Sequence, residues 1–244
     1  MKTYEKKAIT YEGNAFRKTF LDNDEGKKIN PGEIILRNAD LSGCDLSGMN
    51  FRNSDFDGVN LEGANFTGCC LHKVWFKDCN MKGVKFINTD LTEATLRYEN
   101  LTGADFSGAN LHCALLEYTV LDDVKYNEKT KFFKMRCPEE GAFIAWKCCT
   151  ELRVVQLLIP ADAKRVSATA ETCRCDKAKV LSIKNIDETI SYEWAQSTVD
   201  PDFYYEKGKW VYPHNGFEES RWRDSSEGIH FFMKRQEAID YQTK

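Results

Sequence analysis

Residues 59–68 read VNLEG ANFTG, which is two consecutive units of one five-residue pattern. Each unit has a small or medium-sized residue, a polar residue, a large apolar residue and then two residues that are polar or glycine. The pattern continues in both directions without an insertion, so that every fifth residue from Leu36 to Tyr126 is large and apolar, nineteen in all. Two places before these positions the side chain is small or medium-sized, with Glu99 as the exception. The chain therefore contains a long internal repeat.

A period of five is typical of neither an α-helix nor a flat strand, whose side chains recur about every 3.6 and every 2 residues. It indicates a chain that turns a corner after each unit and points two of every five side chains inward. Four units would close one coil, and stacked coils would pair their backbones about 4.8 Å apart. Glycines such as Gly63 and Gly68, two places after a large residue, supply the backbone freedom that tight corners need.

Three stretches resemble the A(D/N)LXX unit of pentapeptide-repeat proteins, namely Asn38-Ala39-Asp40-Leu41, Glu62-Gly63-Ala64-Asn65-Phe66 and Thr102-Gly103-Ala104-Asp105-Phe106. The resemblance covers about residues 33–127. It implies a mainly β fold, in which this segment is a right-handed quadrilateral β-helix of about 4 to 5 coils. We therefore expect an N-terminal cap at 1–32, the β-helix at 33–127 and a separate C-terminal domain at 128–244.

Residues 1–32 are polar, with turn signals around Asn23 and at Asn30-Pro31-Gly32. An uncovered terminal coil would expose apolar side chains and unpaired backbone groups. We expect this segment to cover that coil as a short hairpin that uses Ala8, Ile9, Tyr11, Phe16, Phe20 and Leu21.

The segment from residue 128 onward holds 19 basic and 19 acidic residues and four of the five tryptophans, Trp146, Trp194, Trp210 and Trp222. So many large aromatic residues indicate a domain with its own core. Strands are predicted at 142–147, 153–159, 178–183, 190–195, 203–205 paired with 209–212, and 229–233. A short helix is predicted at 235–241, with Ala238 and Tyr241 packed inward. The result would be a β-rich domain with a short terminal helix.

This half is similar to an uncharacterised domain that follows pentapeptide repeats in bacterial and bacteriophage proteins. The resemblance is carried by residues 138–141, 158–165, 173–174, 177–178 and 228–232. It implies a bacterial or phage source, and it implies no activity.

A candidate partner-binding surface follows from stacking four repeats per coil, since residues 20 apart then share a face. One face gathers large aromatic, apolar and arginine side chains, which are typical of interface cores. They are Trp75, Arg97, Tyr98, Leu115 and Tyr118. The C-terminal part of the chain could cover this face, or another protein or a second copy in a homodimer could bind it.

The charge of the repeat tests a further idea, because some pentapeptide-repeat proteins mimic DNA and bind type II topoisomerases. Residues 33–127 hold 14 acidic and 8 basic residues, a net charge of −6. The sign fits, but B-DNA of the same length, about 23 Å, carries on the order of 14 phosphates. The mild net charge of the whole chain, −4, argues against direct nucleic-acid binding.

Localisation follows from segments that the sequence lacks. No stretch approaches the roughly 18 apolar residues of a membrane helix, and residues 1–7 lack the apolar run of a secretory signal. The ten cysteines show no disulfide-scaffold spacing. We expect a cytoplasmic protein with reduced thiols and no membrane association.

Chemistry-bearing motifs are scarce. Five cysteines of the C-terminal domain could approach one another, but Cys148-Cys149 and Cys173-Arg174-Cys175, with Cys137, are not the pairs of a zinc knuckle. We predict no catalytic residue, no metal and no cofactor. An anion could be held by four cations near strand ends, Lys164, Arg165, Arg221 and Arg223. His230 lies in a strand-like run, where a structural role is favoured.

These observations favour a non-enzymatic interaction or inhibitor protein that acts through the solenoid surface and the C-terminal domain, with a phage origin as one source. Two alternatives stay open. The C-terminal domain could be a nucleotide-binding, anion-binding or enzymatic module that uses Lys164, Arg165, Arg221 or His230. The solenoid could be a DNA mimic that binds a type II topoisomerase.

Overall fold

A computed structural model describes residues 8–22 and 30–243 of the chain. The fold is mainly β with few helices. The described residues form two compact units, one that ends at Phe133 and one that begins at Lys134.

The first unit begins with β1 (Ile9–Glu12) and α1 (Ala15–Phe20), followed by β2 (Ile34–Arg37), β3 (Asp55–Asp57) and β4 (Trp75–Lys77). The four strands form one parallel sheet in the order β1-β2-β3-β4.

Backbone pairing in the repeat joins residues 20 positions apart. Leu36 pairs with Phe56 and Phe56 with Phe76, and isolated parallel bridges continue this offset as far as Lys125, the partner of Asp105. The chain thus returns to the same place after four five-residue units. That return, repeated along the axis, is a β-helix. The next bridge joins Asn110 to Lys131, an offset of 21, so the regular count ends there.

The large residues of the repeat fill the interior. From Leu36 to Leu116 every one of them is buried, whereas Leu121 is partly exposed and Tyr126 is exposed. Phenylalanine rings stack from coil to coil, with centroids 5.6 Å apart for Phe66 and Phe86 and 5.5 Å for Phe86 and Phe106. The inward assignment of the large residues is therefore confirmed over this range.

The second inward position holds the smaller side chains. Cys69 and Cys79 are buried there, and Cys44 is partly exposed. Glu99, the exception in the sequence, also points inward and is only 3% exposed. Its carboxylate accepts a hydrogen bond from the backbone N–H of Cys79 at 2.9 Å. Burial raises the pKa of Glu99 to about 7.

The predicted N-terminal hairpin is wrong, because β1 pairs in parallel with β2 and is followed by the helix α1. Because β1 pairs with β2, the backbone hydrogen-bonding groups along one edge of β1 have partners, and a second strand within the N-terminal segment is not needed. Phe16 and Phe20 of α1 are buried, and the ring of Phe16 lies 6.0 Å from that of Phe51. This segment therefore packs aromatic rings onto the apolar interior of the repeat. Residues 23–29, which include the predicted turn at Asn23, lie outside the described residues.

The second unit contains nine strands, one 3-10 helix (Thr150–Leu152) and the terminal helix α2 (Arg235–Thr243). The strands are β5 (Phe143–Cys148), β6 (Val154–Ile159), β7 (Arg165–Ser167), β8 (Thr172–Cys175), β9 (Ala178–Lys184), β10 (Trp194–Gln196), β11 (Tyr204–Glu206), β12 (Trp210–Val211) and β13 (Ile229–Phe232). Seven of them form an antiparallel sheet in the order β12-β9-β6-β5-β13-β8-β7, and β10 and β11 pair separately.

Four predicted strands are confirmed to within one residue at each end, namely 142–147, 153–159, 178–183 and 229–233. The terminal helix is also confirmed. The predicted pairing of 203–205 with 209–212 is wrong. Tyr204 and its neighbours pair with β10, whereas β12 pairs with β9. Strands β7 and β8 were not predicted.

The tryptophans do not form the core of this unit, contrary to the prediction. Trp194 and Trp210 are exposed, and Trp146 and Trp222 are only partly buried. The core instead consists of aliphatic residues, cysteines and a few aromatic rings such as Phe231 and Tyr205. In α2 Ala238 is buried as predicted, but Tyr241 is exposed and Ile239 is buried instead.

Candidate partner-binding face of the β-helix

One side of the β-helix carries three parallel rows of outward side chains, set by strands β2 to β4 and the bridges that continue them. The first row is Ile35, Asp55, Trp75, Thr95 and Leu115. The second is Arg37, Asp57, Lys77, Arg97 and Glu117, and the third is Asn38, Gly58, Asp78, Tyr98 and Tyr118. The five residues predicted to bind a partner therefore lie on one side of the unit.

Tyr98 and Tyr118 stack on each other on this side. Their ring centroids are 5.0 Å apart and their planes differ by 10°. Tyr98 is 72% exposed, and Tyr118 is exposed as well. A stacked pair that keeps this much ring surface open is a large apolar area at the protein surface.

The third row has left-handed backbone geometry, with φ of 66° at Gly58, 66° at Tyr98 and 59° at Tyr118. A side chain other than glycine costs about 1 to 2 kcal/mol in this region because its Cβ approaches the next carbonyl. Eight of the corners in the repeat are glycine, Gly58 among them, and the others, such as Lys73, Glu93 and Cys113, have the same positive φ. Tyr98 and Tyr118 share this backbone geometry with the other corner residues of the repeat, and what distinguishes them is the stacking of their rings.

Trp75 and Leu115 flank this pair in the first row. Trp75 is half exposed, Leu115 is partly buried, and Thr95 bridges to both of them. Asp55, next to Trp75 in the row, is partly buried, and burial raises the pKa of its carboxyl group.

The charges on this side are paired across coils. The Arg97 guanidinium lies 2.8 Å from the Glu117 carboxylate, and Asp57 lies between Arg37 at 3.8 Å and Lys77 at 3.5 Å. The aromatic surface is therefore bordered by cations whose charge is already neutralised locally. This arrangement suits a binding site in which aromatic area dominates over net charge.

The four cations of the predicted anion site lie in the second unit and are engaged with protein groups. Lys164 forms an exposed ion pair with Glu219, and Arg223 forms one with Glu218. Arg221 donates from Nε to the Ser167 carbonyl at 3.0 Å and stacks on the ring of Trp222 at 4.1 Å.

Arg165, the fourth of these cations, is the most deeply buried of them. Its side chain is buried, and its nitrogens donate to the carbonyl oxygens of Ala163, Pro138, Gly141, Pro160 and Ala161. A guanidinium has five N–H donors, so this set occupies all of them. Arg165 holds the loop before β7 in place and has no donor left for a ligand.

Arg174 has a comparable role that no sequence pattern indicated. It is almost fully buried and donates to the carbonyl oxygens of Glu218, Ser220 and Glu227. It therefore orders the loop between β12 and β13. The alternation Cys173-Arg174-Cys175 looks like a strand with an outward cation, and only the path of that loop makes Arg174 a buried donor.

The cysteines considered for zinc pack with apolar side chains. Cys137, Cys149, Cys173 and Cys175 belong to one buried cluster, and Cys148 belongs to another. Burial raises the pKa of Cys149 to about 12, which favours the neutral thiol.

His230 is mostly buried, and its Nε2 lies 2.9 Å from the Ser226 carbonyl oxygen. Burial lowers its pKa to about 4, so the imidazole is neutral at pH 7. Along the described parts of the chain no helix combines the length and the apolar character that a membrane span requires.

Two family models match the chain. Residues 50–126 match the pentapeptide repeat region, and residues 133–238 match a family of unknown function, DUF5758. No curated protein matches.

Several solved structures are similar to part of the chain. The pentapeptide repeat protein Rfr23 from the cyanobacterium Cyanothece 51142 is 21% identical over 50% of this chain and 82% of its own, with a TM-score of 0.20. QnrB1, a plasmid-mediated fluoroquinolone resistance protein, is 22% identical over 45% and 70%, with a TM-score of 0.19. A pentapeptide repeat protein from the Arabidopsis thaliana thylakoid lumen is 26% identical over 36% and 71%, with a TM-score of 0.13.

The assignment rests on the family models together with the five-residue pattern and its 20-residue pairing register. The chain consists of a pentapeptide repeat region followed by a C-terminal DUF5758 domain of unknown function.

Proposed function

We propose that this chain is a non-enzymatic protein-binding protein, and that the side of its β-helix that carries Trp75, Arg97, Tyr98, Leu115 and Tyr118 binds a protein partner. The observation that carries the proposal is the stacked, exposed pair of Tyr98 and Tyr118.

The composition of this face supports a protein partner. Tyrosine, tryptophan and arginine dominate the energetics of protein interfaces, because their large side chains bury much area with few rotatable bonds or supply a planar cation. The stack and the Arg97–Glu117 pair hold these groups in place before binding, which lowers the entropy lost on association.

The experiment is affinity capture from a bacterial lysate with the full chain on a resin. The double variant Tyr98→Gly, Tyr118→Gly removes both rings and relieves both corners, so it should fold. Val120→Ala, an exposed apolar residue on the neighbouring side, is the matched control. We expect a partner that binds the wild type and the control and not the double variant. A partner that the double variant retains would refute this face.

A second copy of the chain is the alternative occupant of the same face. Sedimentation of the purified chain at increasing concentration tests it, because a dimer made by this face would dissociate in the double variant. The inhibitor role and the phage origin rest on the resemblance of the C-terminal domain to bacterial and phage proteins, and the captured partner would test both.

For the architecture we propose the right-handed quadrilateral form of about 4 to 5 coils over residues 33–127, with 1–32 as a cap and 128–244 as a separate domain. The 20-residue register supports four repeats per coil.

The topoisomerase alternative has weaker support. A DNA mimic needs a continuous acidic surface, but Asp57, Glu93 and Glu117 are paired with Lys77, Lys73 and Arg97. Glu99 is buried and adds nothing to the surface charge. The anion-binding alternative is weakened in the same way by the engaged donors of Arg165 and by the ion pair of Lys164.

A further inference from the structure

The hairpin of β10 and β11 in the second unit carries an exposed aromatic surface, in addition to the candidate partner-binding face of the first unit. Its strands pair Trp194 with Glu206 and Gln196 with Tyr204. Ala195 and Tyr205 point into the core, which leaves the side chains of Trp194 and Tyr204 on the other face. Both rings are 46% exposed, and they meet edge to face with centroids 5.8 Å apart.

Arg153 packs against this aromatic surface and holds its rings in place. Its guanidinium lies 4.3 Å from the centre of the Tyr192 ring and 4.6 Å from that of Trp194, and it donates to the Trp194 carbonyl oxygen at 2.9 Å. Tyr192, Arg153, Trp194 and Tyr204 thus form one continuous stack, which we call the hairpin stack. Because its rings are held by the arginine and by each other, a ligand would lose little entropy in ordering them.

Two hydrogen-bond donors stand beside the open rings. The Tyr204 hydroxyl oxygen accepts from Gln196 Nε2 at 3.1 Å, so its own proton is available to a ligand. The indole N–H of Trp194 makes no hydrogen bond with any part of the chain that the structure describes. Gln196 itself is positioned by a second bond, to the Pro201 carbonyl oxygen at 2.7 Å.

The cations beside the hairpin stack are paired with carboxylates, and Glu206 lies opposite Trp194. Arg153 is paired with Glu151, and Lys207 is paired with Glu193. From residue 128 onward the sequence has equal numbers of acidic and basic residues. A polyanion such as a nucleic acid would find no cationic surface here.

A ligand that matches this site has apolar rings that pack on aromatic faces, strong acceptor carbonyls and no need of charge. Proline-rich peptides have these properties, because their pyrrolidine rings are apolar and their carbonyl groups are not used in internal hydrogen bonds. Their extended helix is already formed in solution, so it binds aromatic surfaces at a small entropic cost. We propose that the hairpin stack binds a proline-rich peptide segment in the polyproline II conformation.

The test is a titration of the full chain, labelled with 15N, with a blocked decaproline peptide. The five tryptophans give five indole N–H signals, and Trp194→Phe identifies the one that matters. We expect that signal to shift in a saturable manner. Trp210, which is exposed to a similar degree on β12, is the internal control whose signal should stay in place.

Two variants separate binding from folding. Tyr204→Phe keeps the ring and removes one donor, and should weaken binding several-fold. Trp194→Ala should abolish binding, read from the backbone amide signals of Gln196 and Tyr204, with the indole signals of Trp146, Trp210 and Trp222 unchanged as evidence that the second unit is folded. An unmoved Trp194 signal at millimolar decaproline would overturn the proposal. So would shifts of Trp194 with a cello-oligosaccharide or oligo-dT in place of decaproline, because they would assign the stack to another class of ligand.

Discussion

The carboxylate of Glu99 accepts a hydrogen bond from the backbone N–H of Cys79, 20 residues earlier and one coil away. Glu99 also accepts a hydrogen bond from the backbone of Asp78, and the titratable groups that act on it or respond to it are Asp78 and the Cys79 thiol. A buried carboxylate without a cation favours its protonated form. The corner formed by these residues is therefore sensitive to pH.

The stability of the chain should fall as the pH rises towards 7 because of Glu99. Its pKa is raised from 4.5 in the unfolded chain to about 7 in the folded one, so the folded state binds the proton more tightly. The contribution is complete below pH 4.5, decreases as the pH rises and is lost above 7. Its size is on the order of 3 kcal/mol. Urea unfolding at a series of pH values measures it.

Glu99→Gln should remove this dependence and make the chain more stable than the wild type at pH 8. Glu93→Gln, an exposed glutamate of the same repeat, is the control. Equal pH profiles for wild type and Glu99→Gln would contradict the buried position of the carboxylate.

Phe86→Ala should destabilise the chain by about 3 to 5 kcal/mol, because it removes the middle ring of the stack between Phe66 and Phe106 and leaves a cavity. Ile87→Ala, which truncates the adjacent outward residue, should cost much less. The difference between the two unfolding free energies is the measurement. Similar losses in both variants would mean that the inward direction of Phe86 is wrong.

Tyr98→Gly should change the free energy of unfolding by less than about 1 kcal/mol. Glycine relieves the left-handed corner, and this gain offsets the loss of ring stacking on Tyr118. Tyr98→Val should lose the stack, keep the strain and destabilise by about 2 kcal/mol. Chemical denaturation of both variants tests this ordering. The reverse order would mean that the left-handed geometry at this corner does not penalise a β-branched side chain.

Arg165→Met should destabilise the second unit by about 3 kcal/mol or more, since it leaves several buried carbonyl oxygens without donors. Lys164→Met, next to it in sequence, should leave the unfolding midpoint unchanged because its ion pair is exposed. An Arg165→Met chain that unfolds like the wild type would restore Arg165 as a candidate ligand residue.

The repeat could be predicted from the sequence because every five-residue unit places the same kinds of side chain inward and outward. A side chain such as Phe66 points inward for the same reason as Phe86, so one period fixes the interior and the pairing register together. Even Glu99 follows the period in position, and only its protonation depends on its surroundings. The N-terminal segment was not predictable in this way, because β1 pairs with a strand about 25 residues later.

The second unit lacks such a period, and its contacts join distant residues. Composition suggested that tryptophans fill the core, but cross-strand pairing leaves Trp194 and Trp210 at the surface. The charge of Arg165 suggested a ligand site, whereas the fold of the preceding loop makes it a structural donor. In the repeat, by contrast, stacking residues 20 apart was enough to place the five candidate residues on one side.

The 20-residue register also determines what changes of length the protein can accept. Inserting one five-residue unit between Trp75 and Tyr98 would preserve the packed interior, but it would carry every later side chain to the neighbouring side of the coil and separate the two aromatic groups. Inserting four units would keep them on one side and move them apart by one coil spacing, about 4.8 Å. Insertions can thus change the distance between surface groups in steps of one coil, and each single inserted unit turns the later groups by a quarter of a coil.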